Sequence, residues 1–235
     1  MYQPNRPLKE GCYVTASKEH IALSREAAAG GMVLLKNEHK LLPLKAGSRI
    51  ALFGKGSFDY VKGGGGSGDV TVSYVHNLYD GFQMLHDAVS LYEPLCDFYR
   101  ANVNEQYDQG SVPGMTTEPA LSAELLAGAS AYTDTAVIVL SRFSGEGWDR
   151  SSIEYNGEYN PWETETSMPK ISGEIFPDGD FYLTKEESAM IAQVKQHFSR
   201  IAVVLNIGGI IDTSWIKNDD QISSALIAWQ GGMEG

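Results

Sequence analysis

Residues 142–150 read RFSGEGWDR and follow the apolar run DTAVIVL. Glu146 stands there between Gly145 and Gly147, with Arg142, Asp149 and Arg150 close by. A chain leaving a buried strand presents its loop side chains at the strand's carboxyl end, where α/β folds hold ligands. The flanking glycines leave the Glu146 backbone open to close approach. A carboxyl group so placed can protonate a departing oxygen and later take a proton from water. Arg142 and Arg150 could hold Asp149 and neighbouring acids in a polar network. The plain alternative is a surface turn laced with salt bridges.

The segment that follows carries Trp148, Tyr155, Tyr159 and Trp162 among Glu154, Glu158, Glu163 and Glu165. Aromatic rings stack on the apolar face of a pyranose while acids accept from its hydroxyls, so the mixture favours a carbohydrate or a domain interface. Packing of the loop onto its own scaffold is the competing use of any one ring. If the departing oxygen is glycosidic and the reaction retaining, a second carboxylate must sit about 5 to 5.5 Å from the first as nucleophile. Spacing identifies none. Asp149 is a candidate by proximity, and orienting Arg150 or accepting from a sugar hydroxyl are its alternatives.

A second stretch, GGGGSGD, contains G-x-G-x-x-G at Gly63, Gly65 and Gly68. Its context is wrong for a dinucleotide fingerprint, because it starts well beyond the preceding strand and leads into β-prone VTVSYV. No GK[ST] ending supplies a P-loop lysine. The remaining readings are a turn-forming glycine loop and a loop facing a sugar or another domain, with Asp69 as acceptor for a hydroxyl. The five histidines have no metal-ligand spacing, HExxH is absent, and FSGEG lacks the central serine of a nucleophile elbow. No metal or organic cofactor is expected.

The elements that must position these residues alternate. A helix is expected from about Ser17 to Gly30, capped by Ser17, then a turn-rich connection NEHKLLPLKAG and a strand SRIALFG. LYDGFQMLHDAV and LYEPLCDFYRANVNEQY read as helices, the second with Pro94 in its first turn. ALSAELLAGASAY leads into DTAVIVL, and TKEESAMIAQVKQHF, with Thr184 and Glu187 spaced as a capping box, leads into RIAVVLN and then SALIAW. Strands near residues 50, 137, 202 and 226 are apolar throughout rather than alternating. This pattern predicts an α/β fold with a mostly parallel sheet flanked by helices. Residues 1–16 read as a lead-in and 17–235 as one sandwich domain, incomplete at its carboxyl end because ALIAWQGGMEG stops where a helix should follow.

Thirty acidic against eighteen basic side chains give a formal net charge of -12. That field opposes nucleic acid and anionic membrane as partners. Cys12 and Cys96 form no scaffold pattern, no apolar leader opens the chain, and no run approaches a membrane span, so a cytoplasmic setting is expected.

Taken in order, SREAAAGGMVLLKNEHKLLPL, IALFGKG with GGGGSGDV, VIVLSRFSGEGWDR, GDFYLTKEE, VVLNIGGIIDTSW and ALIAWQGGMEG resemble the α/β sandwich domain of glycoside hydrolase family 3. The resemblance covers nearly the whole chain from Ser17. Its main departure is Gly30, where relatives often carry glutamate. The resemblance implies part of a retaining, β-glucosidase-like enzyme acting on terminal β-linked sugars, with Glu146 as general acid/base. It also implies that the aspartate nucleophile lies in a TIM-barrel domain absent from this chain, so the isolated chain should be inactive. Asp69, Arg142, Trp148, Asp149 and Arg150 are the substrate or domain-interface candidates. The alternatives are a noncatalytic sugar-contacting or structural module and, more distantly, a nucleotide-binding domain.

Overall fold

The computed structural model describes residues 8–9, 12–13, 17–66, 69–146 and 168–235. Trp148, Asp149, Arg150 and the aromatic and acidic residues from Glu154 to Glu165 lie outside the described residues. Near the start, β1 (Leu8–Lys9) and β2 (Cys12–Tyr13) form a small antiparallel pair. Helix α1 (Lys18–Gly31) begins where the Ser17 hydroxyl accepts the His20 amide at 3.3 Å. The chain then runs through β3 (Val33–Asn37), β4 (Ser48–Phe53), α2 (Leu78–Met84), β5 (Val89–Leu91), α3 (Glu93–Asp108), α4 (Ala123–Tyr132) and β6 (Thr135–Arg142). After α5 (Met168–Ile175) come α6 (Lys185–His197), β7 (Arg200–Ile207), α7 (Ser214–Lys217) and β8 (Ile222–Ile227).

Six strands form one sheet in the order β3-β8-β7-β6-β4-β5, parallel except for β3, which runs antiparallel to β8. Successive β6 residues point to opposite layers. Ile138 and Leu140 pack with Leu95, Tyr99, Leu126, Met190 and Val194 from α3, α4 and α6. Val137 and Val139 pack with Leu41, Leu52 and Val204, backed by α2 residues Leu78 and Phe82. Burial of each large apolar side chain contributes about 1.5–3 kcal/mol, which is why the central strands carry no polar alternation.

From β4 the chain goes outward to β5 and returns to β6 on the other side of β4. The loops following β4 and β6 therefore part at this point, the topological switch where an open α/β sheet opens a crevice. GGGGSGD follows β4 and SGEG follows β6, so the fold brings the two glycine-bearing motifs to the same end of adjacent strands.

The expected strands and main helices form, and three local differences stand out. VLLKN, expected as a helix exit and connection, is the edge strand β3, with Val33 43%, Leu34 52% and Leu35 44% exposed. VSL, expected as the junction of two helices, is β5, paired with Ser48–Ile50. VTVSYV has no strand partner. No helix among the described residues is long and apolar enough to cross a membrane.

Candidate active site

The segment after β4 crosses the end of β6 closely. Gly54 has φ 93°, and a Cβ there would run into the Val139 backbone, while one on Gly56 would lie 2.9 Å from the Val139 oxygen and 3.0 Å from the Ser141 nitrogen. Only glycine fits so near another backbone in that conformation. Beneath this turn Lys55 Nζ donates to Asp59 Oδ2 and to the Gly114 carbonyl, both at 3.1 Å. Asp59 also accepts from the Tyr107 hydroxyl and the Gly114 amide, both at 2.6 Å, and from the Thr116 amide and hydroxyl. Burial raises the Asp59 pKa, but Lys55 and these donors outweigh it and hold the carboxyl below its usual range. The crossing strap is thus nailed to the loop at 114–116 before it reaches the glycine run.

The glycine run then meets the SGEG loop backbone to backbone. The Glu146 amide donates to the Gly65 carbonyl at 3.5 Å. A Cβ on Gly64 would lie 2.8 Å from the Ser144 oxygen, and one on Gly145 only 2.5 Å from the Gly65 nitrogen. Gly66, with φ 73°, carries the Glu146 side chain directly against it. These glycines are explained by the packing of two loops against each other. Glu146 itself is exposed at the carboxyl end of β6.

Arg142, the last residue of β6, is 1% exposed. Its Nε donates to the Asp180 carbonyl, one Nη to the Ser141 carbonyl and Glu187 Oε1, and the other Nη to the Tyr182 carbonyl and Glu187 Oε2. A guanidinium has five donors, and all are engaged. Its plane also lies over the Phe176 ring, 4.5 Å from the centroid. The last β6 side chain points into the layer where α6 begins, so the Arg142 donors are spent there; the network expected with Asp149 and Arg150 falls on residues outside those described. Glu187 is also the reciprocal cap of α6, accepting the Thr184 amide at 2.9 Å. Burial raises its pKa, and Arg142 and the Thr184 amide more than offset that, leaving it low.

Two further residues brace the loop and were not singled out by sequence reasoning. Gln230 Nε2 donates to the Arg142 carbonyl at 3.3 Å. Asn206, the last polar letter of RIAVVLN, bonds to Val61 and Trp229. An asparagine directly after the apolar run IAVVL was the signal available for it, since a buried amide must find partners.

Beside Gly65 and Phe143 opens a cleft of about 560 Å³ walled by Phe58, Tyr60, Tyr107 and Pro113. Asp69 lies on its rim, 2.6 Å from Lys62 Nζ, with its side chain 59% exposed. The structure therefore gathers Glu146, Asp69 and the glycine run at one end of the sheet and takes the Arg142 guanidinium inside.

A mostly parallel six-stranded sheet with helices packed on both of its faces defines an α/β sandwich. Residues 32–235 match the family model described as the glycosyl hydrolase family 3 C-terminal domain, and the chain belongs to that family. It is 54% identical over 235 residues to beta-glucosidase A of Butyrivibrio fibrisolvens, covering 100% of this chain and 28% of that protein. A beta-glucosidase of Ruminococcus albus is 31% identical over 225 residues, which are 92% of this chain and 21% of the relative. Among solved structures, beta-glucosidase 3B from Thermotoga neapolitana in complex with alpha-D-glucose superposes with a TM-score of 0.74 at 30% identity, over 93% of this chain and 28% of that one. A beta-glucosidase from Paenibacillus barengoltzii gives 0.73 at 31% identity, over 92% and 22%. The chain thus spans between 21% and 28% of the length of these proteins.

Proposed function

We propose that this chain is the sandwich part of a retaining, β-glucosidase-like hydrolase, and that Glu146 is its general acid/base. In this reading an aspartate from a TIM-barrel domain elsewhere in the parent polypeptide attacks the anomeric carbon. Glu146 protonates the departing oxygen, then takes a proton from the water that releases the sugar. The substrate is a glycoside with a terminal β-linked sugar, and the step needs no metal.

The observation that carries the reading is that Glu146 is an exposed residue at the carboxyl end of β6, its backbone resting on Gly65 and its side chain against Gly66. Asp59 is buried in hydrogen bonds and Asp69 pairs with Lys62. Neither is offered as nucleophile, which agrees with a site completed by another domain. Asp69, Trp148, Asp149 and Arg150 are proposed to contact sugar or the facing domain, and the chain by itself is proposed to be inactive. A cytoplasmic setting belongs to the same proposal and rests on cysteine usage.

The test uses the parent polypeptide. Glu146→Ala should lower hydrolysis of glycosides with poor leaving groups by about 10²- to 10⁴-fold, with a smaller effect on glycosylation by activated substrates. Equal loss on both, or no loss, refutes leaving-group protonation and leaves the noncatalytic sugar-contacting module.

A further inference from the structure

We infer that Asn206 is the positioning residue of the acid/base loop, holding in place the strap on which Glu146 rests. This depends on the role proposed for Glu146.

Asn206 is 0% exposed at the end of β7. A buried primary amide is costly unless its groups are bonded, and here Oδ1 and Nδ2 are both engaged. Oδ1 accepts the Val61 amide at 2.6 Å, and Nδ2 donates to the carbonyls of Val61 at 2.9 Å and Trp229 at 2.7 Å. The side chain thus pairs with both backbone groups of Val61, as an adjacent strand would. Yet β7 is not adjacent to β4, because β6 lies between them. The contact fastens the strap after it has crossed the end of β6, where Gly54 and Gly56 lie against Val139 and Ser141.

A few residues beyond Val61 the strap meets Ser144, Gly145 and Glu146 through Gly64, Gly65 and Gly66. The bond to Trp229 fixes the other flank. Gln230, next in the chain, donates to the Arg142 carbonyl, and a Cβ on Gly208 would meet both Gln230 Oε1 and Ser144 Cβ within 2.7 Å. One amide therefore sets both segments between which the chain emerges from β6. Asn206 lies within the sheet and acts on the reaction only through the loop it holds.

The decisive variant is Asn206→Asp, which keeps the shape and the acceptor for Val61 but turns lone pairs toward the carbonyls of Val61 and Trp229. It is compared in the parent polypeptide with wild type and Glu146→Gln, using phenyl and dinitrophenyl β-glucosides. A loop displaced by about 1 Å can cost roughly 100-fold, so kcat/KM for the phenyl substrate should fall by about that factor. The dinitrophenyl substrate needs little protonation, and its kcat/KM should fall less than about 10-fold. The basic limb of the pH profile should shift as well. Should the aspartate variant not fold, Asn206→Ser, which retains one donor and one acceptor, is read in the same way. Equal loss on both substrates with an unchanged pH profile, or no loss, overturns the positioning role. Leaving-group dependence in Glu146→Gln but not at Asn206 sinks this inference alone, whereas its absence in Glu146→Gln sinks the role of Glu146.

Discussion

Arg142 and Glu187 meet as a two-point ion pair inside the layer between β6 and α6, each carboxylate oxygen 2.6 Å from one guanidinium nitrogen. The residue that ends the strand leading to Glu146 is thereby locked to a residue in the first turn of α6. The side chains are 1% and 2% exposed, so water screens the pair little. A buried pair is dear to break on one side and cheap to replace on both, since a lone partner keeps an uncompensated charge.

Glu187→Ala should therefore lower the unfolding free energy by about 3–5 kcal/mol, read from urea melts. The double variant Arg142→Met, Glu187→Met should cost less than the single one. A single-variant loss under about 1 kcal/mol would mean the pair is solvated like a surface bridge.

Glu118 makes stability depend on pH in an unusual direction. It is 5% exposed and accepts the Lys55 amide and the Tyr99 hydroxyl, both at 2.8 Å. Burial dominates and pushes its pKa from 4.5 to about 7. The folded state then holds a proton that the unfolded chain releases, so this contribution is full below pH 4.5 and disappears as pH rises through about 7. Its size is about 3 kcal/mol, at 1.36 kcal/mol for each tenfold change in proton affinity. Asp59 and Glu187, held low, act oppositely: their contribution is present above their ordinary values and is lost on further acidification. Glu118→Gln should flatten the decline between pH 4.5 and 7 while leaving the acid limb intact. An unchanged slope in urea melts across that range would remove Glu118 as its source.

How far the sequence spoke depended on the distance over which each feature is decided. IALFG, AVIVL, IAVVL and ALIAW announced buried strands because both of their faces are covered, which only uninterrupted apolar runs satisfy. VLLKN did not, since it follows a helix directly and lies on the half-exposed edge, where its letters extend the helical stripe as well as they make a strand. The Thr184–Glu187 cap is local and was legible. The second duty of Glu187 is to Arg142, 45 residues away, and no spacing rule reaches that far. The place of Glu146 at the carboxyl end of β6 was legible from the apolar run before it, whereas the strap beneath it required knowing that Val61 crosses β6 to reach Asn206.

Nucleotide binding at the glycine run is open to a direct check. Gly64–Gly66 face Ser144, Gly145 and the Glu146 carboxyl rather than framing an open nest of amides, and a nearby carboxylate repels phosphate. Calorimetric titration with NAD or ATP should give no saturable heat at submillimolar concentrations. Tight binding would return the loop to the phosphate-cradle reading.

The glycines themselves supply a graded series. Nothing lies within 4 Å of a Cβ built on Gly63, and its φ is not positive, so Gly63→Ala should change stability by no more than about 0.5 kcal/mol and leave turnover intact. Gly54→Ala forces a Cβ into the Val139 backbone at φ 93° and should cost more than about 3 kcal/mol. Gly145→Ala sits between them: its clash is with the Gly65 nitrogen, at the contact between the two loops rather than against a sheet strand. It should cost little in a thermal melt while reducing hydrolysis of poor-leaving-group glycosides in the parent polypeptide by roughly 100-fold. If the three alanines rank alike in both melts and rates, the glycine run is merely flexible and the contact between the loops does not hold Glu146.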